Sequence, residues 1–338
     1  MKTARRVFCA LGVLAAAGGA FGQAARVNRF AAEYMSMPPA RLRARMAEDV
    51  PTRRRYLAEA LAAKGAGAWP VVKPALKDKD WRVQCCAIES LVVTLEPHQA
   101  SNAPKAVAAR GELVKRMDGV IPALQGCLGA SEYWVRCRAA VALGMFRQQA
   151  GPAAAALAAA ADDESWWVRQ AAVEALQQVT DKPALQVEGA RNAMRRPCTS
   201  YAVLRQCMEV LRKHRPADPG VIDALLFQVG NPGQGMWSAA TASALTVLAE
   251  SNVPPDKLLP LLARVLTDPA YLPLQGDPRK AACQALAKLG PKARGALPAL
   301  RKALTIEKQF LRDGKRKKAE SLVELLEGTI EAIEKPQR

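Results

Sequence analysis

Apolar residues along this chain return at steps of four, and one short pattern recurs over most of its length. Trp81-Arg82-Val83 is followed by Ala87 and Leu91, Tyr133-Trp134-Val135 by Ala139 and Leu143, and Trp166-Trp167-Val168 by Ala172 and Leu176. In each copy an aromatic residue stands two before a Val, a small residue four after it and a Leu eight after it. Residues at that spacing share one face of an α-helix, so each copy predicts a helix with one buried stripe. Weaker copies run from Tyr201-Ala202-Val203 through Cys207 to Leu211, from Trp237 through Thr241 to Leu245, and from Pro278-Arg279 through Ala282 to Leu286. The Val-equivalent positions are 83, 135, 168, 203, 237 and 278, and the three middle intervals fall in the mid-thirties. That period is the length of a two-helix unit. The longer first interval holds an insertion at about 97–118, and the longer last one holds a Pro-rich loop between Asp268 and Pro278.

A second signature precedes these helices. Leu289-Gly290-Pro291 leads to Ala296-Leu297-Pro298-Ala299-Leu300, and Trp69-Pro70 leads to Lys73-Pro74-Ala75-Leu76. Ile121-Pro122-Ala123-Leu124 and Leu259-Pro260-Leu261-Leu262 carry the same Pro-x-Leu feature. Gly290 suits a left-handed helix end, and Pro298 suits the first turn of the next helix. With Pro-x-Leu in a first helix and Val-Arg-x-x-Ala-x-x-Ala-Leu in a second, the chain resembles the HEAT repeat family, especially its short bacterial version. Gln84, Leu204 and Ser238 depart from the Arg of that pattern. The resemblance implies an all-α fold: an α-solenoid, wound as a right-handed superhelix, of tandem antiparallel helix pairs. It is specific for fold and unspecific for function.

The organisation expected is residues 1–22 as a signal peptide, 23–66 as N-terminal helices forming a cap, 67–305 as HEAT-type repeats, and 306–338 as a basic loop with a C-terminal capping helix. Leu322, Leu325, Leu326, Ile330 and Ile333 give that last helix its apolar face. Lys2, Arg5 and Arg6 precede an apolar run from Val7 to Ala20, and Ala20-Phe21-Gly22 ends it with small residues, which predicts cleavage before Gln23. The run is short for a bilayer span, so no transmembrane segment is expected after cleavage. The protein is therefore expected to be exported, as a periplasmic or secreted protein.

Half the residues are hydrophobic and 24% charged, enough apolar material for a packed core, while aromatics are only 5%. The net charge of +18 suggests an anionic partner, with basic clusters at Arg41, Arg43, Arg45, Arg53, Arg54 and Arg55 and again at Arg312, Lys315, Arg316, Lys317 and Lys318. An anionic surface or polymer could be held by these ends. Export argues against nucleic acid as the partner, which leaves a basic nucleic-acid-binding protein as the alternative, and a HEAT-like lyase as the second alternative.

Signs of catalysis are sparse. The two histidines, His98 and His214, stand near Pro in loops or helix ends and do not form a metal-ligand spacing. None of the eight cysteines falls in a Cys-x-x-Cys pair, and most sit among apolar residues as small hydrophobes. A Cys127–Cys137 bridge stays open on sequence alone. Asp163 and its neighbours are read as starting a helix. The chain is thus expected to be no enzyme, to carry no cofactor, and to bind a protein. The candidate partner-binding residues are the aromatic row Trp81, Tyr133, Trp134, Trp166, Trp167 and Tyr201, with Arg136, Arg169 and Arg279 beside it, because Trp, Tyr and Arg dominate interface hot spots. The competing reading is that the rings close each repeat's corner and the arginines tie repeats together.

Overall fold

The computed structural model describes residues 33–47, 51–99, 104–196, 200–214, 219–230, 238–250, 253–268, 278–313 and 320–335. The expected signal peptide, Cys198, Trp237 and Lys315–Lys318 lie outside them. The fold is an all-α solenoid of tandem antiparallel helix pairs, and among the described residues there is no strand. In chain order the helices are α1 (Pro39–Arg45), α2 (Pro51–Ala63), α3 (Trp69–Ala75), α4 (Trp81–Gln99), α5 (Pro104–Arg116), α6 (Val120–Cys127), α7 (Tyr133–Phe146), α8 (Ala154–Ala160), α9 (Trp166–Val179), α10 (Pro183–Met194), α11 (Tyr201–His214), α12 (Pro219–Gly230), α13 (Ser238–Glu250), α14 (Pro255–Thr267), α15 (Pro278–Leu289), α16 (Leu297–Arg312) and α17 (Glu320–Glu334).

The recurring pattern sets where the second helix of each pair starts. α4, α7, α9 and α11 each begin on the aromatic residue of their copy. Behind each ring the predicted stripe is buried: Val135, Ala139 and Leu143 are fully enclosed, as are Val168 and Ala172, and Val203, Cys207 and Leu211. Each enclosed Val or Leu contributes about 1.5–3 kcal/mol relative to water, so the stripe outweighs any local helix preference. The turn before α4 is fixed by Asp80, whose Oδ1 accepts from the Arg82 amide at 2.9 Å. The stretch read as an insertion holds α5.

The chain divides into two units, one of residues up to Ala160 together with Trp167–Leu185, the other of Ala161–Trp166 with Gln186 onward. In the first unit α4 lies between α2 and α7, and α6 packs across α7. α7 and α9 approach closely at Gly144, where an added Cβ would stand 3.1 Å from Ala175 Cα. In the second unit α11, α13, α15 and α17 pack in succession as one layer, and α12, α14 and α16 as the other. α17, expected as a cap, also packs on α16.

Glycine opens the 3-10 segments Gly65–Ala68 and Gly290–Ala296 with φ of 56° and 55°. The 3-10 segment Arg147–Ala153 begins the same way at φ 52°, but with an arginine. A side chain there is strained, because its Cβ meets the neighbouring backbone. Arg147 also lies close enough to the buried Arg110 of α5 to add to burial in holding the Arg110 guanidinium below its usual pKa.

Candidate binding surface

In the first unit Tyr133, Trp134 and Trp167 form a row of rings. Tyr133 and Trp134 lie 4.7 Å apart between centroids, tilted by 33°. Trp134 and Trp167 lie 6.2 Å apart, tilted by 32°. These spacings fall in the range of favourable ring pairs, and all three side chains are half-buried, so part of the row faces solvent. They share a location because each stands in the first turn of its helix, at the turn between the two helices of a pair, and neighbouring pairs repeat that turn. Trp81 holds the equivalent position on α4, where the Arg54 guanidinium covers its ring at 5.4 Å. In the second unit Trp166 is half-buried at the start of α9. Tyr201 begins α11, and its side chain lies outside the described residues.

The arginines divide differently from the rings. Arg136 Nη1 donates to Ala130 O at 2.9 Å and to Ser131 O at 2.7 Å, closing its own inter-helix turn. Gln84, at the same register position, donates to Leu76 O at 3.4 Å across its own turn. Arg169 is 2% exposed and Arg279 is 6% exposed, which corrects their candidacy as surface anchors. Arg279 Nη1 donates to Glu307 Oε1 at 2.5 Å, an ion pair between α15 and α16. Arg279 thereby ties its helix to the next, with its guanidinium turned away from solvent.

The basic start of the chain is partly spent on internal contacts. Arg43 pairs with Asp78, and Arg55 with Glu59 at 3.0 Å. Together with the Asp80 amide, which contributes most, Arg43 holds the Asp78 carboxyl below its ordinary pKa despite opposing burial.

The remaining candidates are structural. His214 ends α11, at a helix end as its place near Pro suggests, and is half-buried with Nε2 2.6 Å from Gln186 Oε1. Cys127 and Cys137 are free thiols, which corrects the bridge left open between them. Cys127 donates to Leu76 O at 3.4 Å and Cys137 to Trp167 O at 3.6 Å, so each follows its own backbone acceptor. Burial pushes Cys85 and Cys127 up to about 11 and Cys86 to about 12, where thiolate is scarce at neutral pH. Asp163 accepts from the Ser165 amide at 2.8 Å, as a residue opening a helix does. Among the described residues no group of three or more His, Cys, Asp and Glu is placed to hold a metal, and no helix is long and apolar enough to cross a membrane.

Sequence reasoning missed the surface made by Leu226 of α12 with Lys257, Pro260, Leu261 and Arg264 of α14. The i, i+3, i+4, i+7 spacing of its four α14 residues is the signal that could have found it.

Comparison with known proteins places one part of the chain firmly. The family model described as HEAT repeats matches residues 99–177, across α7 and α9. No curated protein matches. Among solved structures the chain is similar to YibA of Escherichia coli, at 15% identity over 95% of this chain and all of that one, with a TM-score of 0.48. It is similar to a chain of the CpcE–CpcF complex of phycocyanin lyase from Nostoc sp. PCC7120, at 16% identity over 79% of this chain and 95% of that one, TM-score 0.34. A designed armadillo repeat protein shares 15% identity over 78% of this chain and 99% of that one, TM-score 0.33.

Proposed function

We propose that this chain, which carries HEAT repeats, is a non-enzymatic scaffold that binds another protein, and that it works in the cell envelope or outside the cell. The observation that carries the reading is the half-exposed row Tyr133, Trp134 and Trp167. Three large rings already ordered by their neighbours lose little side-chain freedom when a partner covers them, which is what makes aromatic anchors effective. Arg136 serves this row indirectly, by fixing the turn on which Tyr133 and Trp134 stand. Support for export is the charged, apolar and small-residue succession of residues 1–22.

The test is a double substitution, Trp134→Ala with Trp167→Ala. Capture of partners from envelope extract should fall at least tenfold against the unsubstituted protein, while the melting temperature stays within a few degrees. A large fall in melting temperature with capture unchanged at a lower working temperature would assign the rings to packing alone. Export is checked separately by N-terminal sequencing, which should begin at Gln23.

A further inference from the structure

The second unit carries a surface that the aromatic row does not account for. α12 and α14 lie side by side, and between them Leu226, Pro260 and Leu261 floor a shallow cavity of about 310 Å³ that opens to solvent. Lys257 and Arg264 line it as well. They are seven residues apart on one helical face, hence about 10 Å apart along the axis. Both are more than half exposed; the exposed carboxylate of Asp223 lies 3.6 Å from Lys257, and the half-buried carboxylate of Asp268 3.3 Å from Arg264. Exposed pairs of this kind are weak and readily exchanged for another carboxylate. Arg264 is also aimed by its donation to Gly230 O at 2.9 Å.

Asp256, next to Lys257 on α14, is exposed as well. The 3-10 segment Gly290–Ala296 and α16 both pack on α14, and they present exposed Lys292, Arg294 and Lys302. Phe227, next to Leu226 on α12, is 40% exposed.

We infer that this groove is a docking site for a short acidic peptide segment of another protein, one that places an apolar side chain on the Leu226–Leu261 floor between two carboxylates reaching Lys257 and Arg264. An extended segment advances about 3.3 Å per residue and turns alternate side chains to one face, so carboxylates four residues apart stand about 13 Å apart on one side, within reach of the two long cations, while the residue midway between them meets the floor. A nucleic acid would match the cations but has no use for an aliphatic floor, since bases stack on rings. A bilayer would need a broad basic face or an inserted apolar helix, and a recessed floor supplies neither. The inference rests on the reading of the chain as a binding scaffold, but on a different unit and different residues from the aromatic row.

The full mature chain is titrated into three fluorescein-labelled peptides, followed by anisotropy: Ser-Glu-Ser-Leu-Ser-Glu-Ser, its Lys-for-Glu counterpart, and its Ser-for-Leu counterpart. The first should bind at least tenfold more tightly than either control, and more weakly as salt rises. Lys257→Glu with Arg264→Glu should cost at least tenfold, and Leu261→Gln alone a similar factor. Lys257→Gln with Arg264→Gln serves if charge reversal lowers the melting temperature. Trp134→Ala with Trp167→Ala should leave this affinity unchanged even if it abolishes partner capture, which separates the two sites. Equal binding of the three peptides, or unaltered affinity in variants that melt normally, overturns the inference. So does binding of phosphatidylglycerol vesicles, lost in the same variants, without binding of the acidic peptide.

Discussion

Removing Glu307 should unsettle the second unit more than any surface change can. Its side chain is 1% exposed and that of Arg279 is 7% exposed, with the two in contact at 2.5 Å between α15 and α16. Glu307→Ala removes the carboxylate that faces a buried guanidinium, a loss that costs about 3–5 kcal/mol. For a unit of this size each kcal/mol lowers the melting temperature by about 2–4 °C, so the transition should fall by about 6–20 °C. Replacing both partners by leucine removes the buried charge. Arg279→Leu with Glu307→Leu should therefore recover to within about 1 kcal/mol of the parent, or exceed it. Urea unfolding followed by far-ultraviolet circular dichroism reads both variants as changes in midpoint at constant slope. A single substitution costing less than about 1 kcal/mol, or a double variant losing the sum of the two singles, would refute a coupled buried pair.

Gly144→Ala should destabilise by about 1–3 kcal/mol in the same assay, because the new methyl meets Ala175 backbone at 3.1 Å and α7 must shift from α9. Arg147→Gly should raise stability by about 1–3 kcal/mol, since it relieves a φ of 52° and withdraws a cation from near Arg110; no change in midpoint would show that the side chain repays its strain. The raised thiols of Cys85, Cys86 and Cys127 destabilise the fold at alkaline pH. Unfolded thiols ionise from about pH 8.5 while the folded ones hold their protons to about 11 or 12, so this stability is full below pH 8.5 and lost as pH climbs toward 11. Thermal melts of the parent should therefore decline over that window more steeply than those of Cys86→Ala.

Much of the fold was legible because it depends on spacing alone. Val135, Ala139 and Leu143 sit on one face whatever their partners are, and a ring placed before such a stripe marks where the helix starts. Of the six rings aligned in the sequence, Tyr133, Trp134 and Trp167 meet, as register brings equivalent positions of neighbouring pairs together. Arg169 and Arg279 misled because a sequence shows their place on the helix but not the carboxylate that draws one of them inward; Glu307 stands on the following helix. Arg147 hid a turn that two other segments announce with glycine. The Lys257–Arg264 surface escaped because its floor is completed by Leu226 from a different helix, and pairing between helices is decided by packing.

Recognition at the aromatic row is tested most directly by placing a photo-cross-linker within it. With Trp134→p-benzoylphenylalanine, and Glu188→p-benzoylphenylalanine as an exposed reference on α10, illumination in envelope extract should attach one protein partner at position 134 and none at 188. Attachment at 188 alone, or equal labelling at both positions, would contradict the account.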